Sequence, residues 1–178
     1  MKQISIIGVP SDYGQRRRGV DMGPSAIRYS GVVERLQALN YNVKDEGDIR
    51  LQLKEDLQGD PKLLNLEEII HLSEELASKV SGVITGNSIP LVLGGDHSIA
   101  IGTLAGLGNH YDNLGVIWFD AHADINTPAT TPSGNIHGMP LAVSLGLGHE
   151  RLTNIANYAP KIKKENIIII GARSVDEG

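Results

Sequence analysis

Four side chains capable of chemistry follow the apolar stretch Leu114–Phe119 in this 178-residue sequence. Asp120, His122, Asp124 and Asn126 occupy every second position. In an extended chain that leaves a strand, alternate side chains point the same way, so we expect these four to converge on one spot. Carboxylates packed beside an imidazole are costly unless a cation neutralises them. The spacing therefore predicts a metal site; the alternative is a polar loop whose acids face water and cap the next helix.

A further candidate ligand, His97, follows the apolar stretch Ile89–Leu93 and two glycines. Such a histidine, taken alone, is more often structural or capping. Because the carboxyl ends of parallel strands meet at one edge, we expect His97 to reach the Asp120 cluster. Oxygen ligands with imidazoles and no sulfur suit Mn²⁺ or another borderline cation better than structural zinc. Two such ions about 3.5–4 Å apart share a bridging hydroxide, which is a strong nucleophile near neutral pH.

The elements that must position these residues alternate between strands and helices. Short apolar or β-branched runs predict strands, and apolar residues at helical spacing predict helices. The predicted strands are 2–9, 41–44, 89–93, 114–119 and 166–170, the predicted helices are 24–39, 66–83, 99–107, 139–147 and 150–157, and 47–64 is predicted as loop. This order predicts an α/β fold, with a parallel sheet flanked by helices on both faces. Its carboxyl edge would carry the polar segments 94–98, 120–126 and 171–178.

Composition excludes several classes of protein. The net charge of −5 argues against nonspecific nucleic-acid binding, which favours a basic surface. No apolar run approaches the length of a membrane span, and no secretory signal segment begins the sequence. The absence of cysteine removes disulfides and thiolate chemistry and is typical of a reducing compartment. We therefore expect a soluble cytoplasmic protein.

Four motifs carry a resemblance to a known family. The runs LVLGGDHSIAIGT, GVIWFDAHADINT, SGNIHGMPLA and IIGARSVDEG resemble the ureohydrolase superfamily, and its arginase branch in particular. The resemblance extends from the first strand to the last residue. It implies a three-layer α/β fold in which residues 1–178 form a single domain, incomplete because it lacks the C-terminal part of the family fold. It also implies a Mn²⁺-dependent hydrolase that converts L-arginine and water to L-ornithine and urea, as a cytoplasmic homo-oligomer, trimeric or hexameric.

The resemblance also implies roles for individual residues. By similarity to arginases, His97, Asp120, His122 and Asp124 would be the metal ligands, and Asp120 would bridge two ions. Asp124 would also pass on a proton after the attack. His137 would act at the mouth of the site as proton shuttle or general acid, which suits an imidazole at neutral pH. The alternative for His137 is a loop histidine that caps the following helix.

The same resemblance implies a substrate-binding group. Asn126, Ser133 and Asn135 would hold the α-carboxylate of the substrate, and Asp176 its α-ammonium group. Turn formation and helix capping are the alternatives for the Asn and Ser residues, and disorder near the chain end is the alternative for Asp176. Agmatine lacks the carboxylate, so another ureohydrolase such as agmatinase is the second interpretation.

In this family an Asp-x-Asp pair and a still later Glu follow these motifs, and no Asp-x-Asp follows Asp176 here. The resemblance therefore implies that this chain alone binds one Mn²⁺ weakly, or none, whereas a complete site holds two. A non-catalytic metal-binding or assembly fragment is the third interpretation. Two further features have structural interpretations: the basic segment Gly14–Gly19 is read as a solvated loop rather than a rim of the active site, and Trp118 as core beneath the metal loop.

Overall fold

The computed structural model describes residues 2–51 and 59–176. The strands are β1 (Gln3–Val9), β2 (Asn42–Asp48), β3 (Ser88–Gly94), β4 (Val116–Phe119) and β5 (Ile167–Ile170). The α-helices are α1 (Gly23–Tyr29), α2 (Val32–Ala38), α3 (Leu66–Thr85), α4 (Ile99–Gly108), α5 (Pro140–Ser144) and α6 (Glu150–Thr153). Short 3₁₀ turns lie at Val20–Met22, Ile136–Gly138, Ile155–Asn157 and Lys164–Asn166. The predicted α/β alternation is confirmed; residues 52–58 of the predicted loop lie outside the described residues.

Every strand pair is parallel, as the sequence predicts. The strands form two hydrogen-bonded groups, one in the order β2-β1-β3 and the other β4-β5. Within the described ranges, β3 and β4 are not paired with each other. The continuous sheet expected from the alternation is therefore seen as two parallel parts, and polar residues at the ends of β3 and β4 approach each other.

The core packs helices against these strands. The apolar stripe of α3, including Leu72, Leu76 and Val80, packs against Ile7 and Val9 of β1. A second cluster covers one face of the β4–β5 pair and includes Trp118, Leu104, Leu141 and Ile162. Burial of such stripes is what makes an amphipathic helix stable in a small domain. Over the described ranges, none of the helices has the combination of length and apolar character that crossing a bilayer requires.

The predicted helix over 24–39 was wrong in its continuity. Two helices, α1 and α2, occupy this range and are separated at Ser30 and Gly31. Gly31 has φ +84°, a left-handed conformation that glycine adopts without the steric penalty of a Cβ. Farther along, α5 ends at Ser144 and is followed by Gly146 at φ +84°, which also shortens the predicted 139–147 helix. Glycines inside an apolar period thus ended helices that the period alone continues.

Candidate metal centre and adjoining pocket

His97 and two carboxylates meet where β3 and β4 end. His97 follows β3, and Asp120 is the first residue after β4. The Nδ1 atom of His97 lies 2.9 Å from Oδ2 of Asp120 and 2.7 Å from Oδ2 of Asp124. Ligand atoms of these three residues all lie within 4.8 Å of one another. The structure thus brings together three of the four predicted metal ligands in a group that could hold a metal ion.

The charges of this group depend on one another. Burial opposes a charged His97 ring, but the carboxylates of Asp124 and Asp120 outweigh it and raise the pKa of His97 above its usual range. Burial also opposes a charged Asp120, yet the His122 backbone N–H and the charge of His97 lower the pKa of Asp120. Without a metal ion, these shifts favour an ionised Asp120 beside a protonated His97. To bind a cation through Nδ1, His97 must lose this proton, whereas Asp120 is already in the required state.

The donor set fits a divalent cation. Asp124 is buried, and its Oδ2 contacts Nδ1 of His97 at 2.7 Å. Buried carboxylate oxygens are costly unless they are hydrogen-bonded, paired or coordinated to a metal. Two carboxylates and one imidazole, without sulfur, match the ligand preferences of Mn²⁺ and similar ions. An ion at this position would take the place of the His97 proton between the imidazole and the two carboxylates.

The fourth predicted ligand, His122, is not one of these three residues but lies beside Asp120 at the edge of the group. Its side chain is 62% exposed, and its Nδ1 lies 3.2 Å from Oδ1 of Asp120. The expected extended alternation was wrong here, because the chain bends after β4 and Asp124 has φ +51°. Asp120, Asp124 and Asn126 therefore take their places through turns and not through a regular strand. His122 instead holds Asp120, whose Oδ1 also accepts a 2.9 Å hydrogen bond from the His122 N–H.

Two kinds of contact hold the metal-ligand residues in place, namely ring stacking on His97 and hydrogen bonds to the backbone of Asp124. The rings of His97 and Trp118 are stacked, with centroids 4.3 Å apart. Trp118 is buried in the cluster beneath β4, which confirms its interpretation as core. The carbonyl of Asp124 accepts hydrogen bonds from the N–H groups of Leu141 and Ala142, at 3.0 and 3.3 Å. These are N–H groups of the first turn of α5, which have no partner inside their own helix.

A pocket of about 170 Å³ adjoins the centre and is lined by the remaining predicted site residues: His122, Asn126, Ser133, Asn135, His137 and Asp176. Asp124 also lines it, whereas His97 and Asp120 do not. Asp124 thus lies at the boundary between the metal group and the pocket. At the far side, Nδ2 of Asn126 donates a 2.7 Å hydrogen bond to Oδ2 of Asp176. Oδ1 of Asn135 is buried with no hydrogen-bond partner among the described residues.

Asp176 reaches the pocket because the chain after β5 runs back along β4. The Asp120 N–H donates to the carbonyl of Ile170, 3.0 Å away. The N–H groups of Arg173 and Ser174 both donate to the carbonyl of Ala121, at 2.9 and 3.0 Å. These hydrogen bonds continue the pairing of β4 with β5 beyond the last residues of the two strands. They hold the following residues beside the metal loop.

The segment 131–135 is held by the chain near residue 62. The Gly134 carbonyl accepts a 3.1 Å hydrogen bond from the Leu64 N–H, and Nζ of Lys62 donates to the Thr131 carbonyl at 2.7 Å. Gly134 has φ +75°, and a Cβ there would lie 1.8 Å from the Pro61 carbonyl oxygen. Only glycine fits this close backbone approach.

The basic segment 14–19 is largely exposed, as its interpretation as a solvated loop predicts, and it also contacts the pocket wall. Arg16 donates to the carbonyl of Ser133 at 3.1 Å, and the Gly14 carbonyl accepts a 3.0 Å hydrogen bond from the His137 N–H. The segment is thus a solvated loop that also holds two residues of the pocket wall. The sequence analysis also missed Asp96, which is buried and accepts from the N–H groups of Gly14 and Ser98 at 2.8 and 2.9 Å. Burial raises the pKa of Asp96. Its position beside His97 was the available indication.

Comparisons with known proteins agree with this fold. The model of the arginase family matches residues 2–178. The arginase of Bacillus subtilis (strain 168) is 64% identical over 177 residues, which are 99% of this chain and 60% of that protein. The solved structure of the arginase from Bacillus caldovelox is similar with a TM-score of 0.96 at 61% identity, covering 99% of this chain and 60% of that one.

A more distant solved structure is that of an arginase from Entamoeba histolytica in complex with L-ornithine. It is 37% identical with a TM-score of 0.86, and the match covers 99% of this chain and 61% of that one. The chain therefore spans about 60% of the length of the relatives that it matches. Because the family model matches nearly every residue, this chain belongs to the arginase family.

Proposed function

We propose that the protein containing this chain is a Mn²⁺-dependent arginase that hydrolyses L-arginine to L-ornithine and urea. The main support for the proposal is a pocket with a metal-binding residue at one end and side chains suited to a free amino acid at the other. One end is bounded by Asp124 of the metal group, and the other by the Asn126–Asp176 pair. An amide donor beside a carboxylate complements the α-carboxylate and α-ammonium groups of a free amino acid.

The roles of the substrate-binding residues follow from their chemistry. Asn126, Ser133 and Asn135 offer neutral N–H and O–H donors for the α-carboxylate, and Asp176 accepts from the α-ammonium group. This pairing orients the amino acid so that its guanidinium end approaches Asp124. An Entamoeba histolytica arginase similar to the chain was solved with L-ornithine, the amino-acid product of this reaction, which supports such a pocket.

Proton transfers are assigned to two residues. Asp124, at the boundary of metal group and pocket, accepts a proton from the attacking water and delivers it to the departing amine. Without that proton the amine is a poor leaving group. His137 lines the outer pocket and exchanges protons with solvent, as an imidazole does near neutral pH.

His97, Asp120, Asp124 and His122 would hold the metal. Mn²⁺ bound there would supply Lewis acidity that makes water nucleophilic near neutral pH. His122 would join through its exposed ring, whose Nδ1 lies 3.2 Å from Oδ1 of Asp120. We expect this chain alone to hold one Mn²⁺ weakly or none, and the complete protein to hold two.

We also propose that residues 1–178 form one domain of a larger arginase fold. Support comes from the β4–β5 pair, where Ile117, Phe119 and Ile168 are largely exposed although their sequence is typical of strands buried on both faces. The chain matches about 60% of the length of its relatives. We propose that the remaining two fifths of the family fold cover this face. As in similar arginases, we expect a cytoplasmic homo-oligomer.

Urea release from L-arginine and from agmatine tests the proposal, using the protein at its full encoded length after incubation with Mn²⁺. We expect urea from L-arginine and little from agmatine, which lacks the carboxylate. His137→Asn should lower kcat about 10²-fold. His110→Asn is the matched control, because His110 is exposed and bonded to Ser81 outside the pocket.

The other outcomes would replace the proposal. Urea from agmatine and none from L-arginine would identify an agmatinase. Binding of Mn²⁺ without hydrolysis of either substrate would identify a non-catalytic metal-binding protein.

A further inference from the structure

Thr130 makes contacts that suggest a role in the pocket, although it does not line it. It lies in the turn that follows Asn126, and its Oγ1 donates a 2.8 Å hydrogen bond to Oδ1 of Asn126. The same Oγ1 accepts a 2.9 Å hydrogen bond from the Thr127 N–H. The turn is closed by the N–H groups of Thr130 and Thr131, which donate to the Thr127 carbonyl at 3.1 and 2.9 Å.

These contacts determine which end of the Asn126 amide faces the pocket. A backbone N–H only donates, so the Thr130 oxygen is an acceptor toward Thr127 and its own proton is left to donate. A carboxylate only accepts, so the amide end that faces Asp176 must be the NH₂ group. The opposite end, which faces Thr130, is therefore Oδ1, and the Thr130 hydroxyl proton is available to donate to it. The orientation follows from the contact with Asp176 and does not rest on an arbitrary assignment of the amide.

We propose that Thr130 is a positioning residue that presents the NH₂ group of Asn126 to the carboxylate of the substrate. This inference rests on the proposed function. An amide NH₂ carries two hydrogens. One is donated to Asp176, and the other has no partner among the described residues. The contact with the Asp176 carboxylate illustrates that Asn126, held in this way, binds a carboxylate.

Loss of the Thr130 hydroxyl would leave the Asn126 amide held at one end only, by Asp176. The terminal torsion of asparagine is broad, so the plane of the amide could then turn. A turned amide would aim its second N–H away from the substrate carboxylate. Ligands with an α-carboxylate would lose affinity, whereas ligands without one would not.

The test compares competitive inhibition by L-ornithine with inhibition by putrescine, which has the same amines and no carboxylate. The full-length protein is used, with L-arginine as substrate. Thr130→Val, which is nearly isosteric, should weaken inhibition by L-ornithine and raise the KM for L-arginine, each by about threefold to tenfold. Its kcat and its inhibition by putrescine should stay within about twofold of wild type. Thr130→Ser retains the hydroxyl and should restore affinity for L-ornithine.

Thr103→Val is the matched control, because its hydroxyl also donates to a carbonyl, that of Ile99, at 2.9 Å and outside the pocket. It should leave both inhibitors unchanged. If Thr130→Val weakened inhibition by L-ornithine and by putrescine equally, the role of Thr130 would be structural and the inference would be overturned. Unchanged L-ornithine binding would also overturn it, while the proposed function stands. A wild-type protein that does not prefer L-ornithine over putrescine would overturn the carboxylate pocket, and the inference with it.

Discussion

Strands β1 and β5 have similar sequences and very different surroundings. β1 is buried at every residue after Gln3, because it lies between β2 and β3 and packs on α3. β5 consists of four isoleucines, of which none is fully buried. Its only strand neighbour among the described residues is β4, on which Ile117 and Phe119 are 70% and 81% exposed.

An apolar run specifies that a strand forms, but not which elements cover its faces. A continuous run of β-branched residues predicts a strand of a parallel sheet with both faces covered. Both strands form, but the elements that pack on their faces are far away in sequence. One face of the β4–β5 pair is packed against the cluster around Trp118. The other face has an apolar surface of the kind that marks a packing interface.

The largest effect expected from this comparison is on stability. Ile7→Ala in β1 should lower the free energy of unfolding by about 2–5 kcal/mol, because it leaves a cavity in a packed core. Ile168→Ala in β5 should cost less than about 0.5 kcal/mol, because the side chain is already 60% exposed. Urea unfolding of the chain measures both. Equal losses would mean that the outer face of β5 is covered in solution.

The metal centre should link the two strand groups, because His97 follows β3 whereas Asp120 and Asp124 follow β4. Mn²⁺ should therefore raise the unfolding temperature of the full-length protein by mass action. Asp124→Asn should weaken Mn²⁺ binding at least about tenfold, more than loss of a residue that only supports a ligand. Calorimetric titration with Mn²⁺ measures this. Asp112→Asn, a change in the exposed loop before β4, is the control, and equal affinity in both variants would remove Asp124 from the ligands.

A smaller effect is expected on the packed side of β4–β5, next to Ile162. Lys161 is buried, its Nζ donates to the carbonyls of Thr153 and Tyr158, and burial lowers its pKa to about 8. Above that pH the folded chain loses this proton while the unfolded chain keeps it until its ordinary pKa near 10.5. Stability from this group therefore rises with pH over that window.

The Lys161→Met variant has no such titrating group. Between about pH 8 and pH 9.5, the free energy of unfolding of wild type should therefore rise by about 1 kcal/mol relative to that of the variant. Urea midpoints at the two pH values measure the gain. Lys163→Met is the control, because Lys163 is exposed. A flat difference between wild type and Lys161→Met would mean that Lys161 is hydrated in solution.

The sequence predicted much of the fold because its signals are local. The period of α3 and the apolar runs of the strands gave element types and approximate bounds. Gly31 shows where that reasoning failed, since a period counts apolar residues and does not register a glycine in the left-handed conformation. His122 shows a second failure, because strict alternation implies a common direction only while the chain is extended, and the chain bends after Phe119.

By itself, the sequence determined the chemistry available: which side chains can bind a cation, which can hold a carboxylate, and that they follow the ends of apolar strands. Only the tertiary structure decided which of them meet. His97 and Asp124 are 27 positions apart, so their contact depends on how two strand groups lie side by side, and the orientation of Asn126 depends on Thr130 and Asp176 together. Local patterns depend on neighbours along the chain, whereas these contacts depend on packing between distant segments.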